Sequence, residues 1–173
     1  MSVISPLQTI KVGVVVERTK GASRWSEFLW RPVSVLAGAP ETPPWTKLSD
    51  DGERATFFAG LGNIALYRSE TAYYRGNLES GAPALWIALR PTGAEPPFGI
   101  AAVTADPAEG ESLSEPATDL VEQVPMPASI ERIISAFIAE HHHVEQPFVK
   151  RQRDRPDPEA FGRRMPRNDD EQR

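Results

Sequence analysis

The chain has 173 residues, no cysteine and a formal net charge of −5 at pH 7. A chain of this length fits one domain with appendages. Without cysteine it forms no disulfide, thiolate zinc site, iron–sulfur cluster or cysteine nucleophile. We therefore expect that it carries no electrons through an iron–sulfur cluster. Its seventeen prolines predict short elements and much irregular backbone, because proline has no backbone N–H to donate.

The charges are divided unevenly along the chain. Residues 148–173 carry a net charge of +2 and the preceding residues one of −7, which together give the −5 of the whole chain. An acidic body repels phosphate, so we expect no nucleic-acid partner. The first residues have neither a basic region before an apolar run nor the ~18 apolar residues of a membrane span. We therefore expect a cytoplasmic protein with no membrane partner.

Apolar residues at a spacing of two predict six or seven short strands. In chain order these strands cover residues 10–17, 30–36, 55–59, 64–67, 84–90, 99–104 and 119–124. Pro32 favours either a sheet edge or the beginning of the second strand, because proline has no backbone N–H to donate to a neighbouring strand. Gly60 to Asn63 predict a hairpin turn between the third and fourth strands. The acidic stretch 106–116 predicts a surface loop.

The strongest helical pattern runs from Pro127 to about His143, with the proline at the first helical position. Its apolar residues form one stripe, made of Ile130, Ile133, Ile134, Phe137, Ile138 and His141. A helix over 69–80 is ambiguous, because Ser69 could cap it but Gly76 weakens it. The predicted fold class is α+β: a mostly antiparallel sheet or open barrel of six or seven short strands, packed by one C-terminal amphipathic helix.

These patterns divide the chain into three parts. Residues 1–9 are interpreted as an N-terminal extension, 10–146 as a single α+β domain and 147–173 as a charged, extended tail. Residues 150–173 contain only two large apolar side chains, Phe161 and Met165, too few to form a core of their own.

Two groups of residues are candidates for binding a partner protein. Tyrosine and arginine dominate interface energetics, which points to Arg68, Tyr73, Tyr74 and Arg75 in the domain. In the tail, arginines surround apolar anchors, which points to Phe148, Arg151, Arg153, Arg155 and Phe161. Alternatively the tyrosines fill the core, and the tail is only solvated or binds nucleic acid. Trp25, Phe28 and Trp30 flank a probable loop and are either core residues or exposed anchors.

No motif for catalysis or cofactor binding is recognisable. The chain has no G-x-S-x-G, no phosphate-binding glycine loop and no H-E-x-x-H. His141, His142 and His143 point in different directions on a helix and cannot converge on one ion. His141 with Glu145 has a ligand spacing and is the weaker alternative. We therefore expect no catalytic residue, no metal and no cofactor.

Several stretches together resemble a bacterial family known as a domain of unknown function. They are VGVVVER at 12–18, WRPVSVLAGAP at 30–40, LYRSETAYYRGNLESGAPALWIALRP at 66–91, AVTADPAEGE at 102–111 and FVKRQRDRPDPEA at 148–160. Genes of the family commonly lie beside those of a molybdenum-dependent formate dehydrogenase. The resemblance implies a non-catalytic accessory subunit or assembly factor that binds the large catalytic subunit of that enzyme. The alternative is a ligand-binding module with a small molecule held among Trp86, Tyr73 and Tyr74 in an open barrel.

Overall fold

The computed structural model describes residues 4–23 and 27–142. This part of the chain forms two antiparallel sheets, with strand orders β2-β1-β4-β3 and β6-β5-β7. The sheets do not close into a barrel within the described residues, and the predicted α+β class is confirmed. The strands are β1 (Gln8–Thr19), β2 (Leu29–Ala37), β3 (Thr46–Asp50), β4 (Arg54–Leu66), β5 (Ala84–Pro91), β6 (Phe98–Thr104) and β7 (Leu120–Pro125).

The first sheet is built around β1 and β4. Val12, Val14 and Val16 of β1 are fully buried, as their alternating spacing predicts. Strand β2 lies at the edge of the sheet, in agreement with Pro32. Strand β1 begins at Gln8, so its first two residues fall within the predicted extension.

The predicted hairpin at residues 60–63 is wrong, because β4 continues through this glycine-containing stretch. Gly60 has a φ of 129°, in a region that residues with a side chain avoid. The pairing with β1 shifts at this point: Val14 pairs with Gly60 and Val15 with Phe58. Ala59 is therefore an extra residue, and a β-bulge bends the strand instead of ending it.

Close approach of the two sheets requires a glycine in β4. A methyl group at position 62 would lie 2.6 Å from Val103 Cγ2 of β6. Strand β4 packs against β6, and β2 packs against β7. Gly62 thus lets the apolar side chains of the two sheets share one core.

Three helices complete the described fold: α1 (Thr71–Leu78), α2 (Pro107–Ser114) and α3 (Ala128–His141). In α3, Ile130, Ile134 and Phe137 are buried, so the predicted stripe is confirmed. Pro127 is the capping residue before α3 and not its first helical residue. Within the described residues, no helix is both long and apolar enough to span a membrane.

Helix α1 resolves the ambiguous stretch 69–80. A 3₁₀ turn over Arg68–Glu70 precedes it, so Ser69 is not its cap. Tyr74 is buried beside Phe137 of α3, with ring centroids 6.2 Å apart. Asn77 is also buried, and its amide bonds the backbone of Ala84 and Ala105. This one side chain ties α1 to the start of β5 and the end of β6.

The surface loop predicted at 106–116 is wrong, because α2 forms there. The Asp106 carboxylate accepts hydrogen bonds from the backbone N–H groups of Ala108 and Glu109. Pro107 occupies the first helical position, where its missing N–H has no cost. Gly110 on α2 lies directly against Trp86 of β5, which the helix buries.

Candidate functional site

One cleft of the described domain has a volume of about 730 Å³, and half of the residues that line it are aromatic. It lies where the end of β1, the start of β2 and the loop before β6 meet. Trp30, Trp45 and Phe98 each pack one face against the core. Their other faces line the cleft together with Arg18, Glu27, Phe28, Phe57, Glu95, Pro96 and Pro97. We call this set of residues the aromatic cleft.

The rings of the aromatic cleft hold each other in edge-to-face and tilted contacts. The centroids of Trp30 and Trp45 are 5.8 Å apart at an interplanar angle of 78°. Trp30 is also 6.0 Å from Phe98 and 5.6 Å from Phe57. Such ring pairs add about 0.5–1.5 kcal/mol each beyond their buried area. The cleft wall is therefore preformed.

Arg18 lies over three of these rings. Its guanidinium carbon is 4.3 Å from the centroid of Phe28, 5.3 Å from Phe57 and 5.7 Å from Trp30. This cation–π contact orients the guanidinium without using its N–H donors on an acceptor. The cleft thus offers an apolar wall with a fixed cation.

Trp45 has an unusual backbone conformation, with a φ of 65°. A bulky residue rarely adopts this left-handed region, which costs on the order of 1–3 kcal/mol. The Trp45 N–H donates to the Phe58 carbonyl, and this bond holds the strained residue at the start of β3. In this conformation Trp45 lines the aromatic cleft.

The structure divides the predicted partner-binding residues of the domain. Arg68, Tyr73 and Arg75 are exposed, and half of the Tyr73 surface is accessible. Tyr74 is in the core, so the prediction that it lies on a contact surface is wrong. Its hydroxyl accepts a hydrogen bond from the Tyr67 N–H, and burial raises its pKa to about 12.

The exposed members of this group do not form one site. Arg75 pairs with Glu79 one turn further along α1, at 2.9 Å. Arg68 lines a separate groove of about 530 Å³ with Ile4, Leu7 and His141. The tail candidates Phe148, Arg151, Arg153, Arg155 and Phe161 lie outside the described residues, as does Trp25.

The small-molecule site expected among Trp86, Tyr73 and Tyr74 is not formed. Trp86 is covered by Gly110 of α2, Tyr74 is in the core and Tyr73 faces solvent. The reason is α2, because a loop at 107–114 would have left Trp86 accessible. A ligand site in the described domain would have to be elsewhere.

A cluster of polar side chains lies at the N-terminus of α2. Thr104 Oγ1 donates to Glu109 Oε2 at 2.6 Å, and Asp106 is buried beside them. Desolvation raises the pKa of Asp106 above its usual range, and the charges of Glu70 and Glu109 add to this shift. The hydrogen bonds from the backbone N–H groups of Ala108 and Glu109 lower the pKa of Asp106 and so oppose this shift. Because Asp106 is engaged as a helix cap, we assign this group a structural role.

The histidines at the end of α3 make packing contacts. The ring of His141 lies 4.5 Å from that of Phe137, and His142 Nδ1 is 3.0 Å from Thr71 Oγ1. His142 is half-buried and hydrogen-bonds Thr71, so it is not a fully solvated residue. Within residues 4–23 and 27–142, no three His, Asp or Glu residues are grouped to hold a metal ion.

The sequence predicts only part of the aromatic cleft. Phe28 and Trp30 flank the predicted loop, but no local pattern links Trp45, Phe57 and Phe98 to them. These three residues come from different parts of the chain and meet through the pairing of β4 with β1 and β3 and the approach of β6. The one local signal is the pair Pro43-Pro44 directly before Trp45, because consecutive prolines favour an extended backbone.

The chain belongs to the family described as protein of unknown function DUF3305, whose model matches residues 11–152. The match covers the described domain from Lys11 of β1 onward and includes Phe148 and Arg151, but not Arg153, Arg155 or Phe161. No curated protein and no solved structure matches the chain.

Proposed function

We propose that this chain is a non-catalytic binding protein: an accessory subunit or assembly factor that binds the large catalytic subunit of a formate dehydrogenase-type molybdenum oxidoreductase in the cytoplasm. The observation that carries the binding role is the aromatic cleft, which exposes preformed rings and a fixed cation. Trp, Tyr and Arg are the residues that contribute most to protein interfaces. The identity of the partner comes from the family resemblance of the sequence.

Two further regions support binding at more than one point. Arg68, Tyr73 and Arg75 are exposed on and before α1, and the basic tail 147–173 carries apolar anchors by sequence. Two linked contacts raise the overall affinity because the second binding event becomes intramolecular. The tail and the surface of the domain then contact the same partner, and the tail raises the overall affinity.

The test is native purification of the tagged full chain from its host, followed by mass spectrometry of the bound proteins. We expect the large molybdenum subunit to be enriched over an untagged control. A deletion of 148–173 should weaken this enrichment more than a deletion of 153–173, because Phe148 and Arg151 lie inside the family match. Absence of the large subunit from the purified material overturns the proposed partner, and unchanged enrichment after the longer deletion overturns the docking role of the tail.

A second candidate function is small-molecule binding in the aromatic cleft. Its volume of about 730 Å³ lies in the range of known ligand pockets, which is roughly 300–1,000 Å³. Native mass spectrometry of the purified chain tests this function. A bound small molecule that disappears in Trp45→Ala would favour it over the accessory role.

A further inference from the structure

We propose that the aromatic cleft binds an extended, acidic segment of a partner protein, in which a carboxylate pairs with Arg18 and a neighbouring apolar side chain packs on the rings. This inference rests on the proposed binding function and specifies the chemistry of the partner. It is based on Arg18, an arginine that is half-buried against three rings and forms no ion pair within the described residues.

Arg18 is the half-buried arginine of the described chain, and the others are exposed. Three of those exposed arginines have carboxylate partners: Arg31 pairs with Glu17, Arg75 with Glu79 and Arg90 with Asp119. In residues 4–23 and 27–142, Arg18 makes neither an ion pair nor a hydrogen bond through its guanidinium. Arg54, Arg68 and Arg132 also form no ion pair, but they are exposed to water. Among the described residues, Arg18 is the arginine that is half-buried and still has no carboxylate partner.

No neighbouring acid of the described residues forms an ion pair with Arg18, although the charge of Arg18 makes a small contribution to the lowered pKa of Asp50. Asp50 pairs with Lys47 at 2.7 Å, and this ion pair is the main reason that the Asp50 pKa is lowered. Glu27 and Glu95 line the same cleft but form no ion pair with Arg18. A guanidinium that contacts rings keeps its N–H groups for other partners, and these groups form a fork that fits a carboxylate.

The apolar surface is larger than the cleft itself, which favours a protein segment over a small molecule. Leu29 follows Phe28 of the aromatic cleft and is 64% exposed, and Phe28 itself is 47% exposed. Exposed apolar residues beside an aromatic groove are typical of peptide-binding surfaces. The occupant then contacts the rings and Arg18 and continues over Leu29.

The two rim carboxylates make the sign of the occupant's charge testable. Glu27 and Glu95 repel an acidic segment but would attract a basic one into the aromatic cleft. Replacing both by glutamine keeps their size and removes the repulsion. The double variant Glu27→Gln/Glu95→Gln should bind an acidic segment about two- to fivefold more tightly. It would bind a basic segment more weakly.

The experiment is selection of random dodecapeptides displayed on phage against the full chain. Binding of the selected peptides to each variant is then measured by fluorescence anisotropy. We expect peptides with Asp or Glu next to a proline or aromatic residue. Arg18→Gln should weaken their binding at least about tenfold, Arg18→Lys by less, and the matched control Arg54→Gln not at all. Arg54 is exposed on β4 and lies outside the aromatic cleft.

Folding of each variant is checked by thermal melting before binding is measured, and Arg18→Lys keeps the charge over the rings if Arg18→Gln unfolds. The proposal is overturned if no peptide is selected, if the selected peptides are basic, or if binding survives Arg18→Gln in a folded chain. Co-purification of the large subunit with a failed selection would leave the proposed function standing and refute only this occupant. Selection of acidic peptides without co-purification of the large subunit would refute the proposed partner and support the acidic-segment site.

Discussion

At the scale of single residues, Gly110 shows how a short helix can cover an aromatic side chain. Any side chain at this position would overlap the indole ring of Trp86. We expect Gly110→Ala to lower the free energy of unfolding by about 1–3 kcal/mol, because overpacking outweighs the helix propensity gained. Urea unfolding followed by far-ultraviolet circular dichroism measures the change.

Gly76 on α1 is the matched control for this prediction. It is also in a short helix, but a methyl group there would meet no other atom within 4 Å. Gly76→Ala should therefore raise the free energy of unfolding by about 0.5–1 kcal/mol, through helix propensity alone. If both substitutions changed stability in the same direction, the contact between Gly110 and Trp86 would not be what selects glycine at 110.

Asn77 is a residue whose importance could not be predicted from the sequence. Its side-chain amide donates to the carbonyls of Ala84 and Ala105 at 2.8 and 2.9 Å and accepts from the Ala84 N–H at 3.0 Å. These partners lie 7 and 28 residues away, so no local pattern indicates them. By contrast the buried valines of β1 were predicted, because burial on one face of a strand repeats every two residues.

At the scale of elements, α2 depends on its capping residue. Asparagine at position 106 can accept the same backbone hydrogen bonds without a charge, whereas alanine accepts none. Asp106→Ala should therefore be less stable than Asp106→Asn by about 1 kcal/mol. Chemical denaturation of the two variants at pH 7 measures this difference, and equal stabilities would show that the cap is not needed.

Comparison of the native chain with Asp106→Asn gives a prediction for pH. The pKa of Asp106 is raised above its ordinary value of 3.8, so the folded chain binds this proton more tightly than the unfolded chain. The stability it contributes is complete below pH 3.8 and is lost as the pH rises through the raised pKa. Stability of the native chain should therefore fall relative to Asp106→Asn over this window. The prediction is contradicted if the difference in unfolding free energy between the native chain and Asp106→Asn stays constant from about pH 3.5 to about pH 7.

Elements were predictable where one local signal dominated. The stripe of α3 and the alternation of β1 are strong periodic patterns, and both were found. Strand β4 was divided because Gly60 signals a turn, while the ladder to β1 on one side and β3 on the other keeps the chain extended. Strand β3 was missed because its residues Thr46–Asp50 are largely exposed and carry no apolar alternation. The aromatic cleft depends on these missed features and was therefore only partly visible.

At the scale of the whole molecule, one core joins the two sheets and the helices of the described domain. Val14 and Ile64 of the first sheet share this core with Ile87 of the second. Phe137 of α3 joins them and also contacts Tyr74 of α1. Because the apolar side chains of both sheets are buried in common, neither sheet keeps its core if the other unfolds. The described domain should therefore unfold as one unit.

Phe137→Ala tests this cooperativity. Removal of a fully buried phenylalanine should cost about 3–5 kcal/mol, from lost burial and from the cavity that remains. Ser135→Ala, two residues earlier on the exposed side of α3, is the matched control and should change stability by less than about 0.5 kcal/mol. Urea transitions followed by circular dichroism and by tryptophan fluorescence should shift together in Phe137→Ala, because Trp30 reports on the first sheet and Trp86 on the second. Two separate transitions would mean that the sheets are independent, and the aromatic cleft, which contains residues of both, would then not be preformed.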